Sequence, residues 1–249
     1  MKIVSWNINS IRVRIEHLIR LSDEYKPDVL LLQETRVADD SFPCEYFEDL
    51  GYNIAIRGEK GRNGVAIFSK HMLEDVKVDF CPGHARYIEA FTGGAFVASV
   101  YVPNGQEIDS EQYHFKLEFL ANLKDRFCSF CNEVFIAGGD FNVAPHKTDT
   151  HNSSLEGIMC SPREREAIRN IRDAGFCDAL DQKGFTWWDY RHRNFFRNDI
   201  GYRIDQFYLS NAARQLFLDG DVLRFARALP RPSDHAPIMC EIMQNSHAL

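Results

Sequence analysis

Short apolar runs alternate along this chain with longer stretches in which apolar residues recur every third or fourth position. The first pattern marks strands; the second marks one face of a helix. Lys2 to Ile8 reads as a strand. Ile11, Ile15, Leu18, Leu21 and Tyr25 share a helical face. Lys26-Pro27 closes that helix, because proline drives the preceding residue out of the helical region. Val29 to Leu32 reads as a buried strand, and further strands are expected at 52–56, 64–69, 76–80, 86–92 and 95–102. Tyr113, Leu117, Leu120, Leu123, Phe127 and Phe130 predict a long helix, followed by a strand at 133–137. Ser161-Pro162-Arg163-Glu164 is a capping box with proline at the first helical position. The helix it starts should end at Gly175, and strands at 185–189, 203–209 and 236–242 complete the pattern.

The runs VLLL and VFIA do not alternate. Such strands are buried on both faces, one against a second sheet and the other against helices. Many short strands with few helices therefore predict an α/β architecture of two packed sheets with helices outside. No linker, low-complexity tract or composition shift divides the sequence, so residues 1–249 read as one domain.

Composition narrows the class. With 45% hydrophobic and 26% charged residues the chain sits near the globular average, which excludes disorder and collagen. No apolar run is long enough for a transmembrane helix. Asn7, Asn9 and Arg12 arrive before a secretory apolar segment could form, and seven cysteines, an odd number, argue against a disulfide framework. The expected compartment is the cytoplasm. Cys128-x-x-Cys131 has no second pair and falls in a helical pattern, so it reads as structural. A net charge of −7 argues mildly against a nucleic-acid binder. Yet residues 186–235 hold eight Arg and six Asp, a net +2, while the remainder is −9. An acidic body can hold a polyanion if cations neutralise the carboxylates at the contact.

The informative residues are polar ones placed where apolar strands stop. They are Asn7 and Asn9; Gln33-Glu34; Tyr101 and Asn104; Asp140 and Asn142; Asp205 inside an apolar strand; and Ser233-Asp234-His235. Asn and Asp at strand ends often only cap turns. Asp205 is harder to dismiss, since a buried carboxylate costs several kcal/mol unless paired, and His235 is a fitting partner. Glu34, Asp140 and Asp234 can hold a hard cation. Asp beside His stabilises an imidazolium, and Asn amides donate to phosphate without adding charge. Together these suit metal-assisted phosphodiester hydrolysis. Trp187 to Arg203 adds six aromatics and four Arg in 17 residues. It reads either as core plus a solvated loop, or as a loop contacting phosphates through Arg191, Arg193 and Arg197 while aromatics meet a flipped-out sugar.

Trp6-Asn7, Leu32-Gln33-Glu34, YVPNG from Tyr101, GDFN from Gly139, Arg203-Ile204-Asp205 and Ser233-Asp234-His235 occur in the order and spacing of a known family. They resemble the exonuclease III family of apurinic/apyrimidinic endonucleases, across essentially the whole chain. The resemblance implies a four-layer α/β/β/α sandwich. It implies hydrolysis of the phosphodiester 5′ to abasic sites in duplex DNA, 3′→5′ exonuclease action and removal of 3′ blocking groups in base excision repair. It points to Mg²⁺, with Mn²⁺ able to substitute. Glu34 would be the principal metal ligand with Asn7 beside it, and Asp234 and Asn9 would be outer or second-metal ligands. Asp205 with His235 would stabilise charge on the attacked phosphate, and Asp140 would orient or deprotonate water. Asn142 and Tyr101 would bind phosphate. Asp140, Asn142 and His235 also count among the metal-site residues. Trp187, Tyr202 and Ile204 match an abasic-sugar pocket, with Asn104, Arg191 and Arg193 on the DNA. The implied partner is duplex DNA with abasic sites or 3′ ends. No membrane or obligate protein partner is implied, and a monomer is expected. A phosphoinositide or sphingolipid phosphatase would share LQE, GDFN and SDH but would need a basic headgroup loop or an apolar extension, and neither is present. An inactive scaffold would have lost acids or His235, and all are in place.

Overall fold

The computed structural model describes residues 1–244 except 79 and 193. The chain begins β1 (Lys2–Asn7), α1 (Ile11–Tyr25), β2 (Val29–Gln33), α2 (Glu45–Glu48), β3 (Asn53–Arg57) and β4 (Val65–Ser69). It continues β5 (Glu74–Lys77), β6 (Tyr87–Thr92), β7 (Ala95–Tyr101), α3 (Glu111–Cys128), β8 (Phe135–Asp140) and α4 (Pro162–Asp173). The last elements are β9 (Cys177–Asp178), β10 (Asp205–Leu209), α5 (Asn211–Leu216), β11 (Phe217–Val222) and β12 (Ile238–Ile242). They form two six-stranded sheets, ordered β11-β12-β1-β2-β4-β3 and β5-β6-β7-β8-β10-β9. Each sheet contains one parallel pair, β1–β2 and β7–β8. A helix, α1 or α3, crosses between the strands of each pair.

Non-alternating strands are buried on both faces, as their composition requires. Ile3, Val29, Leu31, Ile67, Val97, Ile136 and Phe207 form the core between the sheets. Val4, Leu30, Leu32 and Phe68 face α1 through Leu18 and Leu21. Ala98, Val100, Phe135 and Ala137 face α3 and α4 through Leu120, Phe127, Ile168 and Ile171. This is the four-layer α/β/β/α sandwich.

Two sequence expectations need correction. Residues 185–189 do not form a strand; Trp187 makes only isolated bridges to Tyr202 and His235. The strand expected at 76–80 instead spans Glu74–Lys77, all four residues exposed, and an edge strand without an inward face has no apolar pattern to fix its limits. In addition, α3 ends at Cys128, so Cys131 lies in the turn beyond it; all seven thiols are free.

Parallel pairing brings functional residues to one edge. Asn7 ends β1 opposite Gln33 of β2. Tyr101 ends β7 opposite Asp140 of β8, and Asp140 faces Asp205 at the start of β10. Gly139 permits the close approach of β7, because a Cβ there would lie 1.9 Å from the Val100 carbonyl oxygen.

Candidate active site

Just past the strand ends the chain turns sharply. Asn9, Glu34 and Asn142 have φ of 46°, 50° and 52°. This left-handed region costs a non-glycine residue roughly 1–2 kcal/mol, and such strain gathers at functional sites. Here it turns three polar side chains back over the joined edges of the sheets.

At the centre is a buried chain of groups. His235 Nδ1 lies 2.9 Å from Asp205 Oδ2, and His235 Nε2 lies 3.7 Å from Asp140 Oδ2. Asn7 Nδ2 donates to Asp140 Oδ2 and to Glu34 Oε1, both at 2.9 Å. Asn142 donates its backbone N–H to Asp140 Oδ1 at 2.9 Å and its amide to Asp140 Oδ2 at 3.1 Å. Asn104 Nδ2 donates to Asn142 Oδ1 at 3.2 Å. Asp234 accepts from Asn9 Nδ2 at 2.8 Å and from Trp187 Nε1 at 3.0 Å.

These contacts set the charges. Burial disfavours the imidazolium of His235, yet Asp205 and Asp140 outweigh it and raise the pKa to about 10. Burial raises the Asp140 carboxyl to about 7, helped by Asp205 and opposed by His235. Burial also works against Asp234, but His235 and the Asn9 and Trp187 donors bring it below the usual carboxylate range. Burial first, then the charges of Glu34 and Asp140, hold the Tyr101 phenol well above its ordinary value, so it stays a donor.

Side chains that hold this frame lie behind it. Trp6 Nε1 donates to the His235 carbonyl at 3.1 Å, and Ser233 Oγ donates to the Asn7 carbonyl at 2.7 Å. Lys116, fully buried on α3, donates to the carbonyls of Asn142 at 2.7 Å and Asn104 at 3.1 Å and pairs with Glu164. It ties the loops after β7 and β8 to the N-terminus of α4. Arg203, also fully buried, pairs with Asp149 and Asp178. Sequence reading missed Lys116 and gave Arg203 no role beyond its place in the Arg203-Ile204-Asp205 motif. For Lys116 a signal existed: it lies three residues after Tyr113, on the inward face of the helix.

The sequence pattern of the endonuclease/exonuclease/phosphatase family matches residues 4–235. The chain belongs to this family. Within it the chain is 32% identical to the exodeoxyribonuclease III of Haemophilus influenzae, over 97% of this chain and 99% of that protein. The Neisseria 3′ phosphatase NExo bound to a product DNA hairpin superposes with a TM-score of 0.93 at 34% identity, covering 98% of this chain and 99% of that one. An AP endonuclease from Archaeoglobus fulgidus gives a TM-score of 0.93 at 34% identity, covering 97% of this chain and 99% of that one. The chain is thus related to the exonuclease III and AP endonuclease branch of the family.

In this family member, Asp140, Asp205 and His235 offer ligand atoms within 4.8 Å of one another. His235 Nδ1 is already held by Asp205 and the ring favours its protonated form, so this trio suits charge stabilisation better than cation binding. Glu34 fits a cation better, because a guanidinium already stands on it: Arg36 Nε lies 2.9 Å from Glu34 Oε2 and a second Arg36 nitrogen also bonds that oxygen. Arg36 was not among the residues singled out from sequence. Arg36→Gln should tighten Mn²⁺ binding up to about fivefold, the scale of a half-exposed ion pair, as read by calorimetry. Unchanged affinity would show that the guanidinium offers a cation no competition.

The remaining expected residues divide. Trp187, Tyr202 and Ile204 gather with Ala144, Met159 and Cys160 in one apolar cluster beside Asp234. The Trp187 and Tyr202 rings meet edge to face at 5.6 Å. Arg191 turns away to bind Asp189, with Nε 2.9 Å from Oδ1. Arg193 lies outside the described residues, and Arg197 is exposed.

Proposed function

We propose that this chain is a metal-dependent DNA-repair nuclease that hydrolyses the phosphodiester 5′ to abasic sites in duplex DNA. On the same centre it removes nucleotides and blocking groups from 3′ ends. The observation that carries this reading is the row Asp205–His235–Asp140–Asn7–Glu34: a protonated imidazole, a carboxylate poised near neutrality and a cation-ready carboxylate on one edge of the sandwich. The reading also rests on kinship with an exodeoxyribonuclease III, a 3′ phosphatase and an AP endonuclease.

Asn7 and Glu34 would hold the cation, with Asp140 and Asp234 flanking and Asn9 supporting Asp234. Mg²⁺ suits this oxygen-rich set, and Mn²⁺ would substitute. When bound, the ion supplies Lewis-acid neutralisation of the phosphate charge. His235 and Asn142, counted as possible ligands from sequence, are engaged elsewhere and serve the phosphate instead. With Nδ1 on Asp205, His235 presents Nε2–H to a nonbridging oxygen. Asn104 and the Tyr101 hydroxyl add uncharged donors on the same side, joined by Asn142 once its amide leaves Val102 and Asp140. Asp140 orients a water and takes its proton as the water oxygen bonds to phosphorus. The P–O3′ bond breaks, the leaving oxygen takes a proton from solvent water to become the 3′ hydroxyl, and Asp140 gives its proton back to solvent. We read residues 1–249 as one catalytic domain, acting as a cytoplasmic monomer on duplex DNA. A first sheet that draws its strands from both ends of the chain supports the single domain. The direct test is a time course on a labelled duplex with one abasic analogue. A single incision 5′ to the analogue is expected, and an intact duplex would overturn the reading.

The apolar cluster around Trp187 would receive the baseless sugar. Because the indole N–H also holds Asp234, Trp187→Ala perturbs two things at once, and Trp187→Phe separates them. Trp187→Phe should slow both activities alike through Asp234. Trp187→Ala should cost a further roughly 5- to 150-fold on abasic cleavage, the scale of one lost aromatic contact, and much less on 3′→5′ digestion. Equal further losses would make the ring mere packing.

A further inference from the structure

A cleft of about 550 Å³ opens beside Asn9, lined among others by Arg14, Tyr190, His192, Arg227 and Arg231. Three arginines face it. Among the described residues none of the three forms a salt bridge. Arg14 donates only to backbone carbonyls, those of Asn9, Arg231 and Pro232. Arg227 is 8% exposed; it donates to the Ser233 carbonyl, and its Nε is buried with no partner. The contrast with Arg203 is direct: that guanidinium is buried against two carboxylates, Asp149 and Asp178. Burial lowers the pKa of both Arg14 and Arg227. The acid that offsets it, Asp234, already accepts from Asn9 and Trp187. Arg227 is buried and Arg14 half-buried, and a cation left short of negative charge there is costly unless an anion completes it.

We propose that this cleft is a second phosphate subsite, which holds a non-scissile backbone phosphate of the DNA duplex. The inference rests on the nuclease reading and extends it. Three features favour a backbone phosphate over a free anion. The cleft shares Asn9 with the catalytic edge, it is open rather than enclosing, and its rim carries the exposed Tyr190 and His192, whose flat faces suit sugars and bases. The chain carries −7 overall, so a duplex held only at the catalytic edge would be repelled by much of the surface around it. A fixed cluster of arginines beside that edge offsets the repulsion and sets where the strand lies.

The test uses Arg231→Gln and Arg14→Gln, because Arg231 is exposed and its loss leaves the buried Arg227 in place. Steady-state kinetics in Mg²⁺ are compared on a 20-base-pair abasic duplex and on bis(4-nitrophenyl) phosphate, a diester with no second phosphate. Each variant should raise KM for the duplex roughly 3- to 10-fold, as expected for loss of one hydrogen bond of typical net strength. Each should also make the fall of log(kcat/KM) with log salt shallower by about one. Turnover of the small diester should stay at the wild-type value. Wild-type KM and salt slope in both variants would overturn the proposal. So would inorganic phosphate that competes with the duplex only when Arg231 is present while the salt slope stays fixed, since the cleft would then serve free phosphate. A wild-type protein that cleaves neither substrate would refute the nuclease reading itself, an outcome distinct from both.

Discussion

His235→Asn and Asp205→Asn should each lower hydrolysis by about 10²–10³-fold, the scale for removing one charge-stabilising donor from a buried phosphoryl or acyl site. The double variant should be little worse than the worse single one. The 2.9 Å contact makes them one unit, and effects within a unit do not add; multiplicative losses in single-turnover assays would break the pair. The alkaline limb of the pH profile separates this role from simple packing. Asp205 and Asp140 hold the His235 proton up to about pH 10. Without the Asp205 carboxylate that pKa falls, so the Asp205→Asn variant should lose activity at a lower pH than the wild type and show its largest deficit above neutrality. Linkage gives the matching statement for stability. With the folded pKa raised from 6.5 to about 10, the contribution is full below about pH 6.5 and is lost as pH rises through about 10. A denaturation series in which Asp205→Asn and wild type converge at alkaline pH would show it.

Removing divalent cations with EDTA should reduce cleavage of the abasic duplex at least about a thousandfold, and Mg²⁺ should restore it. Glu34, Asp140 and Asp234 otherwise present negative charge to an anionic phosphate, and Lewis-acid neutralisation is worth several kcal/mol. Full activity in excess chelator would sink the cation mechanism. Glu34→Ala should behave like chelation while the protein melts no earlier, because the variant relieves a crowded acidic edge; the backbone at φ 50° is as strained for alanine as for glutamate and so does not change the balance. A marked drop in melting temperature would make Glu34 structural.

Much of this site was legible in the sequence because each residue interrupts a strong local pattern. Asp205 stands in an apolar strand, so its burial demanded a partner, and His235 is that partner. The capping box at Ser161 and Glu164 is present with both reciprocal bonds. What escaped depended on the meeting of distant loops. Arg36 is the exception: it stands two residues past Glu34, and left-handed backbone at both, φ 50° and 56°, lays it on that carboxylate. The indole of Trp187 reads as a pocket wall, and only the fold turns its N–H onto Asp234. β11 was also missed, because Phe217–Val222 is an edge strand carrying Asp219, Gly220 and Asp221, whose composition matches a loop. Residues 185–189 erred the other way: their aromatics look like a strand, but they serve an irregular segment stitched to Tyr202.

The order of the first sheet has a consequence for biosynthesis. β1 lies inside that sheet, between β2 and β12, and the Met1 amino group bonds the Ile242 carbonyl at 2.7 Å. β1 therefore keeps one open edge until β12 has been made, and Asp234 and His235 come just before that strand. Domains tend to fold as units during synthesis, but this one cannot close early. A nascent chain stalled before residue 234 should be inert toward DNA, and its release should restore cleavage.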